Sequence, residues 1–212
     1  MPIFGLFGAG GFGREVMPIA RENGMQPYFV VSSPGPRVVN GVPVVSPDEF
    51  FELRADLYFN VAVSDTRERE RIVTSFMQRG AIPLPVRARS TLVYDENKIG
   101  AGSIFCAYTY VTSNAQIGRF FHCNPFSYVS HDCVIGDYVT FTPRVSCSGW
   151  VVIGNHVYVG TGALIRNGAE GKPIVIGDGA TIGMGAVVTA DVPSGATVVG
   201  NPARVLRRSP PA

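Results

Sequence analysis

Residues Ile99–Ile165 read IGAGSIFCAYTYVTSNAQIGRFFHCNPFSYVSHDCVIGDYVTFTPRVSCSGWVVIGNHVYVGTGALI. Every sixth residue of this stretch is apolar, beginning with Ile99 and ending with Ile165. With 46% hydrophobic residues in the chain, such a run is expected by chance about once in ten thousand tries. A six-residue period fits neither an α-helix nor a simple strand. It predicts a parallel β-helix of hexapeptide repeats, in which each repeat forms a short strand and a turn.

Two further features follow the same period. The residues four positions after each member of the apolar track are mostly small or β-branched, as a narrow prism interior requires. Glycine often comes directly after the track, and we expect it to adopt the turn conformation that side chains resist. These glycines are Gly100, Gly118, Gly136, Gly154 and Gly160.

The period is interrupted once. Ile165 and Ile176 are eleven residues apart, and the six-residue spacing then resumes at Ile182 and Val188. This spacing predicts a surface loop within Gly168–Pro173, because a loop inside the prism would leave backbone polar groups without partners. It also predicts roughly five coils, stacked about 4.8 Å apart.

Composition excludes several classes of protein. The net charge of +2 provides no strong attraction to nucleic acid or to an anionic membrane surface. The apolar runs are shorter than a membrane span, and the start of the chain does not have the pattern of a signal peptide. The four cysteines lack metal-type spacing and are expected to be buried thiols, so no metal site is predicted. A cytoplasmic enzyme or binding protein is the resulting expectation.

The N-terminal part alternates strands and helices. The pattern predicts a small α/β unit over residues 1–85, about half of a full dinucleotide-binding fold, followed by the β-helix over residues 86–212. Capping boxes are predicted at Ser46 with Glu49 and at Asp65 with Glu68. The predicted strands are Ile3–Phe7, Tyr28–Val31 and Leu57–Val63, with a hairpin over Val38–Val45.

A glycine-rich loop follows the first predicted strand. Gly8–Gly13 matches G-x-G-x-x-G, whose backbone N–H groups can hold a phosphate at the start of a helix. An NAD site would require an acid at the end of the second strand, where this chain has Ser32 and Ser33. Arg37 leaves NADP open as an alternative.

The chain has three histidines, and one of them stands beside an acid. The Asp132 carboxylate next to His131 can fix the tautomer of the imidazole and raise its basicity, as a general base needs. His131 lies two residues after the inward Val129, which predicts that its side chain projects near a corner of the coil. His122 and His156 are expected to be surface or corner residues. Spacing alone leaves the role of His131 open.

These motifs resemble one branch of the left-handed β-helix acyltransferases. The resemblance is carried by Gly8–Gly13, by the block His131–Asp137 and by Gly200–Ala203, and it covers nearly the whole chain. The branch contains N-acetyltransferases that act on nucleotide-linked amino sugars, of the bacillosamine and perosamine type, and sialic-acid O-acetyltransferases. The resemblance implies a left-handed β-helix, a homotrimer, active sites between subunits, and acetyl-CoA as co-substrate.

The resemblance also implies roles for individual residues. His131 matches the general base, Asp132 matches the acid that supports it, and Gly149 falls where a backbone N–H stabilises the oxyanion. The positions implied for the substrate are Gly10, Gly11, Phe12, Ser32, Ser33, Ser64 and Asn124. The positions implied for acetyl-CoA are Thr140, Thr161 and Met184.

The sequence departs from the family pattern in three respects. An acidic pair that binds uracil is replaced by Ser32-Ser33, a loop histidine by Phe12, and a second histidine near the coenzyme by Thr140. The first departure puts the identity of the nucleotide in doubt.

The resulting prediction is an acetyltransferase that acts on the amine of a nucleotide-linked sugar. Three alternatives stay open: O-acetylation of a sialic-acid-type sugar, an NADP-linked oxidoreductase, and a non-catalytic trimeric scaffold. We expect a homotrimer because Phe120, Phe126 and Tyr128 add apolar surface that a prism cannot bury by itself.

Overall fold

The structure, a computed structural model, describes residues 1–22, 24–53 and 55–206. The last residues of the predicted 86–212 segment therefore lie outside the described part of the chain. Within these ranges, an α/β unit comes first, and the chain then winds through three sheets of short, mainly parallel strands.

The α/β unit has a six-stranded sheet in the order β3-β4-β2-β1-β5-β6. The strands are parallel except for the hairpin between β3 and β4, which was predicted around Asn40-Gly41. The elements are β1 (Ile3–Phe7), α1 (Gly11–Arg21), β2 (Gln26–Val30), β3 (Val38–Val39), β4 (Val42–Val45), α2 (Pro47–Phe51), β5 (Leu57–Val61), α3 (Thr66–Gln78) and β6 (Ile82–Pro83).

One of the two predicted capping boxes is complete. At α2, the Ser46 side chain accepts a hydrogen bond from the backbone N–H of Glu49, and the Glu49 carboxylate accepts one from the backbone of Ser46. At α3, Asp65 accepts from the backbone N–H of Glu68, but the Glu68 carboxylate turns to Arg71. The second box is therefore only half formed, because an exposed guanidinium on the next turn competes for the carboxylate.

The second part is a three-sided coil, whose sides we call face 1, face 2 and face 3. Face 1 contains β7 (Val86–Arg87), β10 (Ile104–Phe105), β13 (His122–Cys123), β16 (Thr140–Phe141), β19 (Tyr158–Val159), β22 (Thr181–Ile182), β24 (Thr197–Val199) and the antiparallel β25 (Arg204–Val205). Face 2 contains β8 (Leu92–Val93), β11 (Tyr110–Val111), β14 (Tyr128–Val129), β17 (Ser146–Cys147), β20 (Leu164–Ile165) and β23 (Val187–Val188). Face 3 contains β9 (Lys98–Ile99), β12 (Gln116–Ile117), β15 (Val134–Ile135), β18 (Val151–Ile153) and β21 (Ile174–Ile176).

The apolar track forms the core of the coil. Its members from Phe105 to Ile165 are buried, whereas Ile99 is 37% exposed because β9 is the edge strand of face 3. The coil is longer than the predicted five turns, since face 2 alone stacks six strands. The added turn begins at Val86, and Arg87 occupies its track position. Because Arg87 is charged, the hydrophobic pattern did not predict this turn at the open end of the prism.

The glycines after the track have a different role from the one predicted. The left-handed backbone conformation falls instead three residues after each track position, and non-glycine residues such as Tyr108 and Trp150 occupy most of those corners. A Cβ on Gly118 would lie 2.6 Å from the backbone carbon of Gly136 in the next coil. These glycines are thus required by the close stacking of coils, not by turn geometry.

The predicted insertion leaves the coil as a short loop. Ala169 and Lys172 form an isolated antiparallel bridge at its base, and β21 then pairs in register with β18. The loop therefore does not disturb the stacking of face 3.

The α/β unit packs directly on face 1. The Asn60 side chain at the end of β5 donates to the carbonyls of Leu84 and Gly102, at 2.6 and 3.2 Å. Phe120 is fully buried in this junction, with its ring centroid 6.0 Å from that of Phe59. The expectation that Phe120 lies on the surface is therefore wrong, because the α/β unit covers that corner of the coil.

Candidate active site

His131 lies at the corner between faces 2 and 3, after β14 and before β15. Its side chain is 55% exposed, and its Nδ1 lies 2.7 Å from Oδ2 of Asp132. Asp132 adopts a left-handed backbone conformation (φ 57°), which holds its carboxylate beside the ring. The carboxylate accepts a hydrogen bond from Nδ1–H, so that the lone pair on Nε2 is left free. The exposed ring can therefore act as a proton acceptor.

Gly149 lies one coil above His131. A Cβ at this position would come within 2.5 Å of Cε1 and 2.6 Å of Nε2 of the His131 ring. Only glycine therefore allows the ring to lie where it does. Among the described residues, the N–H of Gly149 donates to no backbone or side-chain acceptor. One corner of the coil thus brings together a proton acceptor and a free N–H donor.

Asn124, Thr161 and Met184 line a different corner, the one between faces 1 and 2. Asn124 follows β13, while Thr161 and Met184 follow β19 and β22 on higher coils. Within the described chain, Oδ1 of Asn124 is buried without a hydrogen-bond partner. The Met184 side chain is 80% exposed, which leaves the upper part of this corner open to a ligand.

The glycine loop connects β1 to α1 and lies against face 1. A Cβ at Gly10 or Gly11 would meet no atom within 4 Å, so the start of α1 is sterically open. Gly10 provides no side-chain cap, and the first turn of α1 carries no acid. Free N–H groups at a helix N-terminus favour an anion. The Phe12 ring packs 5.1 Å from the ring of His122 on β13.

Ser32 and Ser33 line a cavity of about 420 Å³ at the end of β2. On its wall, Nη1 of Arg37 lies 2.7 Å from Oε1 of Glu49. The Ser46 backbone N–H and then the Arg37 guanidinium lower the pKa of Glu49 to about 2. Arg37 is thus already engaged by a carboxylate, which disfavours the 2′-phosphate contact that NADP would need.

Ser64 follows β5 and lines a second cleft, of about 370 Å³. The cleft lies between the start of α3 and the upper coils of face 1, where Tyr158 and Thr181 form its floor.

A buried polar cluster that the sequence did not indicate lies between these loops. Arg69 of α3 is fully buried, and its Nη1 is 2.9 Å from Nδ1 of His122 and 3.0 Å from Oγ1 of Thr140. His122 is therefore not the surface residue that was expected. Thr140 is bonded here within the chain, so nothing in its surroundings supports the predicted contact with acetyl-CoA.

A single chain does not bring all the predicted site residues together. The glycine loop lies on face 1, whereas His131 occupies the corner between the two other faces. In a triangular cross-section this corner is opposite face 1, so the coil separates the two groups.

Two further observations bear on the class of protein. Among the described residues, no cluster of three or more metal-ligating side chains is found. The same residues form no helix that combines the length and the apolar character needed to cross a membrane.

Comparison with known proteins gives full-length matches. No protein-family model matches the chain. The chain is 44% identical over 218 residues to a GDP-perosamine N-acetyltransferase of Escherichia coli O157:H7, with 99% of each protein covered. Its structure superimposes on WeeI from Acinetobacter baumannii AYE with a TM-score of 0.94 and 46% identity, covering 97% of this chain and 100% of that one.

A more distant match was solved with ligands. PerB from Caulobacter crescentus, in complex with CoA and GDP-perosamine, is 25% identical with a TM-score of 0.88, covering 96% of this chain and 97% of that one.

Proposed function

We propose a substrate and a mechanism for this chain, which belongs to the family of sugar N-acetyltransferases. The chain transfers the acetyl group of acetyl-CoA to the amine of a nucleotide-linked amino sugar, with a GDP-linked 4-amino sugar of the perosamine type as the first candidate. The observation that carries the proposal is the corner of His131, Asp132 and Gly149 in a chain that matches such an enzyme over its full length.

The chemistry needs one proton acceptor and one N–H donor. The sugar amine attacks the thioester carbonyl, and Nε2 of His131 takes the proton that the amine loses. The Asp132 carboxylate holds Nδ1–H, while the free N–H of Gly149 stabilises the oxyanion. When the intermediate collapses, the C–S bond breaks and the CoA thiolate takes the proton from His131.

The α/β unit holds the nucleotide. In this proposal it is a Rossmann-like domain over residues 1–85, and the β-helix over residues 86–212 is left-handed. The diphosphate binds at the open start of α1 near Gly10 and Gly11, and the base enters the cavity beside Ser32 and Ser33. Phe12, Ser64 and Asn124 are proposed to line the path to the sugar. Thr161 and Met184 are proposed to contact acetyl-CoA, whereas the Thr140 hydroxyl is buried and bonded to Arg69.

We also propose a homotrimer, because the coil separates the glycine loop from His131 within one protomer. A neighbouring protomer that brings its His131 corner to the corner of Asn124 would complete the site. Exposed apolar side chains on and beside face 2 support such contact, and Phe126 and Leu164 are 54% and 47% exposed. Light scattering that finds a stable monomer at micromolar concentration would contradict this arrangement.

Release of free CoA tests the reaction. Purified protein with acetyl-CoA is incubated with GDP-perosamine, with a UDP-linked 4-amino sugar, or with a sialic acid that offers only hydroxyls. We expect thiol release with an amino sugar and an acetylated product of the matching mass. Release with the sialic acid alone would favour O-acetylation. A thermal shift with NADPH and no acetyl transfer would favour the oxidoreductase. The absence of turnover with every acceptor would favour the scaffold. The cytoplasmic location stays a prediction.

A further inference from the structure

The Arg69 side chain crosses from the α/β unit into the β-helix. It extends from the first turns of α3, and its guanidinium is fully enclosed. Nη1 donates to the Val63 carbonyl at 3.0 Å, and Nη2 donates to the Tyr138 carbonyl. Among the described residues, no carboxylate lies within 4.0 Å of this guanidinium. The more distant charge of Asp65, one turn away, only partly offsets the effect of burial on the pKa of Arg69. Desolvation of an unpaired charge is costly and lowers the pKa of Arg69 to about 9.

His122 extends this contact to the glycine loop. An arginine can only donate, so Nδ1 of His122 must accept from Arg69, and the ring carries its proton on Nε2. Burial, and then the charge of Arg69, lower the pKa of His122 well below its ordinary value, which keeps the ring neutral. The Val61 backbone is close to this ring, but Nε2 makes no well-directed hydrogen bond within the described residues. The His122 ring also packs against the ring of Phe12, with the two centroids 5.1 Å apart.

Arg69 therefore contacts one of the two loops that flank the point where the strand order of the α/β sheet reverses, and it reaches the other one through His122. It holds the chain after β5 through the Val63 carbonyl, and it holds the loop after β1 through His122 and Phe12. In open α/β sheets, ligands bind at the carboxyl ends of the strands at this reversal point. The enclosed charge also adds a positive field at a place where the open start of α1 favours an anion.

We propose that Arg69 is a positioning residue for nucleotide binding, which fixes the two loops through the Val63 carbonyl and His122 and favours the diphosphate electrostatically. This inference rests on the proposed function for the identity of its ligand. It assigns no part in acetyl transfer to Arg69, because the guanidinium is fully buried and has no surface open to the sugar or to acetyl-CoA.

The test compares Arg69→Met with Arg71→Met. Both residues lie on α3, but Arg71 is exposed, and within the described part of the chain its side chain pairs only with Glu68. Calorimetry with GDP or UDP measures the affinity for the nucleotide part of the sugar substrate. Calorimetry with CoA measures the affinity for the co-substrate separately. For Arg69→Met we expect the Kd of the nucleotide that the wild type binds to rise by about ten- to hundredfold. The Kd of CoA should stay within about twofold, and Arg71→Met should change neither value.

Steady-state kinetics distinguishes positioning from general damage. Arg69→Met should raise the KM for the nucleotide sugar and leave kcat at saturation within about threefold. If Arg69→Met does not fold, Arg69→Lys keeps the charge without the fork of donors and should raise the nucleotide Kd by a smaller factor with CoA unaffected. Unchanged nucleotide affinity, or equal loss of nucleotide and CoA affinity, would show that Arg69 only joins the two parts of the chain.

The two proposals fail in different ways. A wild-type protein that binds GDP or UDP but acetylates no amino sugar would overturn the proposed function and leave the role of Arg69 in nucleotide binding intact. A wild-type protein that binds neither nucleotide would overturn the role of Arg69.

Discussion

His131 and His122 differ in the partner that faces Nδ1. At the corner of faces 2 and 3, an exposed His131 meets a carboxylate at 2.7 Å. In the junction between the α/β unit and face 1, a buried His122 meets a guanidinium at 2.9 Å. The carboxylate accepts a hydrogen bond from Nδ1–H of His131, so Nε2 is left as a free acceptor. The guanidinium donates to the Nδ1 lone pair of His122 and leaves a ring that resists protonation. The neighbour of an imidazole, more than its place in the repeat, decides whether it can act as a base.

The largest effect on activity is expected for His131→Ala. The turnover of the amino sugar should fall by about 10² to 10⁴-fold, because the imidazole that takes the proton is removed. Thiol release under saturating substrates measures the effect, and circular dichroism checks the fold. Retention of more than a tenth of wild-type turnover would mean that the amine arrives already deprotonated.

Two variants serve as controls for that experiment. Asp132→Asn should lose less activity than His131→Ala, since the carboxylate orients the base without accepting the transferred proton, and asparagine tolerates the left-handed backbone. Ser113→Ala changes the equivalent corner one coil below and should leave turnover unchanged.

Gly149→Ala should have the next largest effect. The new Cβ would overlap the His131 ring, so the ring must move away from the N–H donor. Displacement of a catalytic group by about 1 Å can cost about a hundredfold in rate. In a His131→Ala background the same alanine should cost little, because the ring it displaces is gone. Equal losses in both backgrounds would locate the damage in the backbone instead.

The smallest expected effect concerns His122 and the pH dependence of stability. The folded protein keeps His122 neutral, while the unfolded chain binds a proton near pH 6.5. The free energy of unfolding should therefore fall as the pH drops below about 6.5, by at most about 1.4 kcal/mol per pH unit for this histidine. Urea unfolding between pH 8 and pH 5 should show a shallower fall for His122→Gln than for the wild type.

His156→Gln provides the matched comparison for that slope. Burial also lowers the pKa of His156, but less strongly than that of His122. His156→Gln should therefore reduce the pH dependence of the free energy of unfolding by a smaller amount than His122→Gln does. Identical slopes for the wild type and His122→Gln would mean that His122 is protonated in the folded protein.

The hexapeptide track could be predicted from the sequence because each coil repeats the same contacts. Its ends could not, since Arg87 and Ile99 lie where the prism is open and the pattern no longer reports burial. The position of His131 beneath Gly149 can also be counted from the sequence, because the strands of successive coils pair at a spacing of 18 residues.

The junction between the two parts of the chain was missed because it joins residues that are far apart in sequence. One signal was present: Arg69 shares the buried face of α3 with Ile72, Val73 and Phe76, at the spacing of an apolar stripe. A charged residue on such a stripe needs a buried partner. The sequence alone does not say which, because His122 and Thr140 are brought to it only by the packing of the α/β unit on face 1.

The corners with a left-handed backbone are positions at which substitution can raise the stability of this fold. Glu96 adopts this backbone conformation (φ 56°) with an exposed side chain. An L-residue with a Cβ loses about 1 to 2 kcal/mol there, a loss that glycine avoids and asparagine reduces. Each coil contacts only its neighbours, so such corners can be exchanged one at a time and their gains accumulated. A more heat-resistant biocatalyst is thus within reach of substitutions remote from both histidines.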